Sequence, residues 1–132
     1  MIRVILLGKV VPKARPRFSS RGHVHMPPSY AKWKQNAVID LRDVRCIASR
    51  KVSLEITFIN AIRRNSDCDN AAGSIMDALV ESGVLRGDSV ATIGKLVVEN
   101  YQERKPKIKP QTLIVINNNY EANIDRIREF LI

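Results

Sequence analysis

No acidic residue stands before Asp40 in this chain. Arg3, Lys9, Lys13, Arg15, Arg17, Arg21, Lys32 and Lys34 come first, with nothing in that stretch to neutralise them. Cysteine is nearly as scarce. Cys46 and Cys68 alone make no disulfide framework, so a reducing cytoplasm is the expected compartment. No apolar run approaches the ~20 residues needed to span a bilayer, and no signal-peptide pattern opens the chain, so no membrane partner is expected. Repeats and low-complexity tracts are lacking too, and glycine and proline, six of each, are unremarkable. A repeat array, a collagen-like chain and a disordered chain are thereby excluded. At 132 residues the expected organisation is one domain over 1–132, large enough to bury a core without a structural metal.

What the sequence has in excess is positive charge. Lys and Arg number 22 against 13 Asp and Glu, giving a net charge of +9. Arg63 and Arg64 form a second cluster, and Arg104, Lys105, Lys107 and Lys109 a third. Such a balance points to a polyanionic partner bound through counterion release.

Hydrophobic periodicity gives the order β-α-β-α-β-β-α, an α+β fold with a mixed sheet and helices largely on one face. Residues 2–11 form the first strand. Residues 12–28, rich in proline, form a long loop with room for a short ribbon. A helix over 30–47 is expected behind Ser29 as N-cap, with Trp33, Ala37, Leu41 and Val44 inward. Residues 51–59 alternate as a half-buried strand. A loop over 60–68 leads to a helix over 70–81, with Ala72, Ile75, Met76 and Leu79 inward and Gly83 as its stop. Strands over 90–101 and 111–117 follow. A closing helix over 120–132 turns Ile124, Ile127 and Leu131 inward.

Asp67, Cys68, Asp69 and Asn70 stand between a strand and a helix start. If residues 67–69 are extended, both carboxylates point the same way. Close carboxylates repel, and a hard divalent ion relieves that repulsion while leaving positions for water and phosphate oxygens. Helix capping by Asp69 or Asn70 is the simpler reading of this motif taken alone. An EF-hand is excluded, because its sixth and twelfth positions would be Ala72 and Ala78. His23 and His25 lack a third ligand nearby in sequence. Asp77 falls near the face of Asp69 and suits a basic partner. Cys46 suits a small core position.

PKARPRF, then SDCDN, then IMDALVESGVLRGDS resemble, in that order, the RusA family of Holliday-junction resolvases, across residues 8–98. The resemblance implies a Mg²⁺-dependent homodimeric endodeoxyribonuclease that makes paired cuts in four-way DNA junctions. It implies Asp67, Asp69 and Asp88 as the metal-holding catalytic aspartates, Asn70 as the motif asparagine and Asp77 as the helix aspartate. Lys13, Arg15, Arg17, Arg63 and Arg64 are the residues expected to engage DNA phosphates. Two positions depart from the family pattern: Gly73 stands where the motif lysine would be, and Gly87 replaces the first aspartate of D-D-S. Lys95 or Arg64 is a candidate to supply the missing cation. The alternative is a RusA-like DNA-binding module impaired in catalysis by Gly73. An RNA-binding protein would account for the charge but not for the aspartates.

Overall fold

A computed structural model describes residues 1–13, 17–18, 22, 24–25, 27–45 and 51–131. The strands are β1 (Ile2–Leu7), β2 (Arg17–Phe18), β3 (Val24–His25), β4 (Val52–Ile59), β5 (Ile93–Tyr101) and β6 (Gln111–Asn117). The helices are α1 (Pro28–Leu41), α2 (Cys68–Glu81) and α3 (Ile124–Glu129). Apart from the β2–β3 ribbon inside the first loop, the order is the expected one. The main sheet is mixed, ordered β1-β6-β4-β5, with β4 and β5 parallel and the other neighbours antiparallel.

Alternation in β4 decides which face is covered. Val52, Leu54, Ile56 and Phe58 are fully buried, and their sheet neighbours Thr112, Ile114 and Ile116 on β6 are buried beside them. Parallel strands cannot be joined by a tight turn, so β4 and β5 need a crossover, and α2 supplies it. Ala71, Ala72, Ile75, Ala78 and Leu79 of α2 lie against this face, joined in one apolar cluster by Ala37 and Leu41 of α1. Gly83 ends α2 with φ of 86°, the left-handed conformation that glycine adopts without strain. Ile5 and Leu7 alternate onto the opposite, uncovered face and stay exposed. Ile75 is fully buried, so Ile75→Ala is expected to cost about 2–5 kcal/mol in urea unfolding, from lost burial plus the cavity left behind.

Several element details differ from expectation. Strand β1 stops at Leu7, because Gly8 turns the chain with φ of 93°. Helix α1 starts early, with Pro27 at the N-cap and Pro28 at the first helical position; Ser29 is inside the helix and caps nothing. It ends at Leu41, short of Val44. Tyr30, not Trp33, is its fully buried aromatic. Residues 90–92 are a turn, so β5 begins at Ile93. Helix α3 has only six residues and buries none of them; Ile124, Ile127 and Leu131 are exposed. The expectation for Cys46 lies outside the described residues.

Candidate metal centre and nucleic-acid interface

Three backbone hydrogen bonds strap the segment after β1 across the far end of the sheet. Val10 N–H donates to Ala61 O at 2.8 Å, and Lys13 N–H donates to Asn70 O at 3.1 Å. Gly8 N–H donates to Pro110 O at 2.8 Å. The Ser74 hydroxyl adds a fourth tie, donating to Val11 O at 2.8 Å. These bonds carry the first basic segment over the end of β4 and onto the opening turns of α2.

The third basic tract arrives at the same end by a separate device. Asn60 follows β4 with φ of 51°, a conformation asparagine tolerates better than most residues. Its side chain donates to Glu103 Oε1 and to Ile108 O, both at 3.0 Å, and accepts the Glu103 N–H at 2.8 Å. The Glu103 carboxylate also accepts the Lys107 and Ile108 amides. These bonds, that from Asn60 foremost, hold its pKa below the ordinary glutamate value. The turn containing Arg104, Lys105, Lys107 and Lys109 is thereby fixed to the end of β4. Gln102 donates to Ile62 O at 3.2 Å and ties in the loop bearing Arg63 and Arg64. A cavity of about 600 Å³ opens here, among Lys9, Val10, Pro12, Ile62, Arg63 and Pro106. Lys9, Lys13, the loop bearing Arg63 and Arg64, and the 104–109 turn therefore meet at one end of the sheet. The tract at 104–109 belongs to this surface as fully as Arg63 and Arg64 do, although nothing in its own sequence says so.

Asp67 and Asp69 sit at this end. Asp67 occupies the N-cap position of α2, yet its side chain caps no backbone amide. Its Oδ2 instead accepts a hydrogen bond from Asn70 Nδ2 at 3.3 Å. The Asp69 Oδ1 accepts the adjoining Asn70 N–H at 2.9 Å. The capping expected of Asp69 or Asn70 is therefore not theirs: both lie inside the first turn, the N-cap position is Asp67, and its other oxygen accepts no hydrogen bond among the described residues. Residues 67–69 are not one extended run either, because helix begins at Cys68. Cys68 is a free, exposed thiol. The pair fits a hard divalent ion: carboxylate oxygens at an exposed helix start, oriented by one shared asparagine, and room for water and phosphate.

Asp88 is elsewhere. It follows the C-terminal end of α2, in the loop that leads to the start of β5, where Val52 N–H meets Thr92 O. The 14-residue helix that lies between it and Asp67 is about 20 Å long at 1.5 Å per residue. Within one chain the three aspartates do not gather. Among the described residues, no group of three or more His, Cys, Asp or Glu side chains is placed to hold a metal ion.

Asp69, Gly73 and Asp77 are spaced four apart, along one stripe of α2. The Lys13 stem lies across Gly73, with its Cδ 3.6 Å from where a Cβ would stand. Its ammonium reaches Asp77 Oδ2 at 3.1 Å. Tyr30 donates to the same oxygen at 2.6 Å, and its hydroxyl is pushed well up by burial and by the Asp77 carboxylate. Asp77 therefore has the basic partner expected of it. A Cβ at position 73 would meet the Lys13 stem only at ordinary van der Waals distance, so the structure does not explain a glycine that costs ~1 kcal/mol against alanine inside a helix. Lys95 stands at the start of β5, toward Asp88. Arg15 lies outside the described residues, as does His23, and only the backbone of Arg17 and His25 is described, in the β2–β3 ribbon.

No helix is long and apolar enough to cross a membrane among the described residues. No curated protein is similar enough in sequence to count as a match. The family model described as Endodeoxyribonuclease RusA matches residues 8–111, from the end of β1 to the first residue of β6. That span takes in the strapped basic segment, Asp67 to Asn70, α2 and Asp88, and the chain belongs to the RusA family of endodeoxyribonucleases, which resolve Holliday junctions.

Proposed function

We propose that this chain is a Mg²⁺-dependent, homodimeric resolvase that hydrolyses paired phosphodiesters in four-way DNA junctions, acting in the cytoplasm. The observation that carries this reading is the meeting of Asp67 and Asp69 with Lys9, Lys13, the Arg63–Arg64 loop and the 104–109 turn at one end of the sheet. An exposed acidic pair inside a cationic surface weakens DNA binding unless a cation is held there. Asp67 and Asp69 are the residues that would hold Mg²⁺. Bound there, the ion would supply an acidified water and stabilisation of charge on the reacting phosphate.

The chain's own groups do the rest. Asn70 orients both carboxylates. Arg63, Arg64 and the tract from Arg104 to Lys109 engage phosphates and position the duplex arms without reading sequence. Lys13 takes the place left by the missing motif lysine: its stem fills the space over Gly73, and its ammonium offers positive charge to a phosphate along the same helical stripe. Asp88 reaches this end only from a second copy of the chain. A twofold dimer matches the near-twofold symmetry of a four-way junction and places one centre on each cut strand.

A labelled four-way junction incubated with the protein is expected to show symmetric paired nicks with Mg²⁺ and none with EDTA. Lys13→Ala should slow cleavage by roughly 10²-fold, the scale of losing one preorganised charge-stabilising group. Adding Gly73→Lys to that variant should restore most of the rate. Gly73 itself favours the second reading, a DNA-binding module without catalysis. Tight junction binding with no nicks at any Mg²⁺ concentration would establish it.

A further inference from the structure

The cavity at the basic end of the sheet has a lining that the acidic pair does not use. Its volume, about 600 Å³, falls within the roughly 300–1,000 Å³ of small-ligand sites. Its walls are preformed. Val10 N–H is bonded to Ala61 O on one side, and Gln102 to Ile62 O on another. Gly8 N–H holds Pro110, and the bonds of Asn60 to Glu103 and Ile108 hold the turn that carries Pro106. A frame bonded at this many points resists collapse into the space it encloses.

The lining has two characters. Val10, Val11, Pro12, Ile62, Pro106 and Pro110 make it apolar. Lys9 and Arg63, both exposed, add positive charge, and no carboxylate lines it among the described residues. The Gln102 amide also borders it; its nitrogen is spent on Ile62 O, and its oxygen accepts nothing among the described residues. Ser66 borders it too, and the next residue is Asp67. An apolar slot with two cations, no acid and a free polar atom suits a flat heterocycle carried between two phosphates. A base in a DNA strand has that chemistry. An intact duplex keeps its bases stacked and paired. At a branch point the flanking pairs have lost a stacking neighbour, so extruding a base there costs less.

We propose that this cavity receives one unstacked nucleobase from the branch point of a junction, with the phosphates on either side of that base held by Lys9 and Arg63. The proposal rests on the resolvase reading above and adds a means of telling branched from linear DNA. A phosphate contact alone carries no such distinction, because every duplex presents phosphates. Seating a base fixes its strand beside Asp67, and so ties the cut to the branch.

Fluorescence of the base analogue 2-aminopurine tests the pocket on the full chain in EDTA, without cleavage. The analogue is dim when stacked between bases and bright when it leaves them. No aromatic ring lines the cavity among the described residues to quench it. A four-way junction carrying the probe in turn at each base beside the branch should brighten severalfold on binding at one of those positions. A linear duplex of the same sequence should bind without brightening. Val11→Trp and Ser29→Trp fill the cavity with an indole from separate segments, and Ser29 is exposed and caps nothing. Each should abolish the brightening while keeping linear-duplex binding, and either variant that retains the parent's thermal midpoint decides the matter. A bound junction that brightens at no position, or brightening that a folded, filled variant retains, would overturn the pocket. With Mg²⁺-dependent paired nicks still present, that result leaves the resolvase reading intact. Failure to bind the junction at all would overturn both.

Discussion

Asp67→Asn should lower junction cleavage by roughly 10³-fold, the upper scale for removing a preorganised electrostatic contribution to a transition state. Binding of the same junction in EDTA should hold or tighten. The two effects have one origin. The Asp67 carboxylate caps no amide, so neutralising it costs α2 no hydrogen bond and only the modest interaction of its charge with the helix dipole. Losing it removes a ligand from the pair proposed to hold the metal and also removes a negative charge from the cationic surface proposed to meet phosphates. Asparagine keeps the shape and still accepts a hydrogen bond from Asn70, so the thermal midpoint should change little. Gel-shift and single-turnover cleavage on one labelled junction measure both quantities. An Asp67→Asn protein that cuts at the parent rate removes the metal assignment.

Asp88→Asn and Asp67→Asn should complement each other when mixed. Each homodimer alone carries two broken centres and should be inactive. In the mixed dimer, one centre takes both substitutions, and the other joins a native Asp67 to a native Asp88. Equilibrating equal amounts yields half mixed dimers if exchange is unbiased. Cleavage should therefore return, as single nicks rather than pairs, from a background lower by roughly 10³-fold. Were Asp88 to act within its own chain, no mixture could recover activity. The separation by the length of α2 makes this outcome a strong discriminator, because no side-chain rearrangement spans about 20 Å.

How far the sequence could be read follows from the range of the forces involved. Strand β4 and helix α2 were legible because burial of one face imposes a period that the residues show directly: Val52, Leu54, Ile56 and Phe58 in one, Ala72, Ile75 and Leu79 in the other. Helix α3 was misread, since its apolar residues have the right spacing but no covering layer in the single chain. Tyr30, rather than the expected Trp33, is the fully buried aromatic of α1, and the hydrogen bond its hydroxyl donates to Asp77, 47 positions away, leaves no mark on the local pattern. The site was half legible. Asp67 and Asp69 are local in sequence, and the structure keeps them together. Asp88 joins them in the sequence only through the family resemblance, and α2 runs one way along the sheet and leaves Asp88 toward the opposite end. The place of Lys13 beside Gly73 depends on backbone bonds from the segment after β1 to Asn70 and Val11 to Ser74, contacts across some sixty positions that periodicity cannot register.

Gathering Lys9, Lys13, Arg63, Arg64 and the 104–109 turn at one end has a consequence for encounter rather than for the bound state. Positive charge collected at one pole makes the molecule an electric dipole as well as a cation. In the field of a duplex it rotates while still diffusing, and arrives with that pole leading. Added salt therefore erodes the arrival rate in addition to the hold, and a monovalent-salt series should lower the association constant for branched and linear DNA alike.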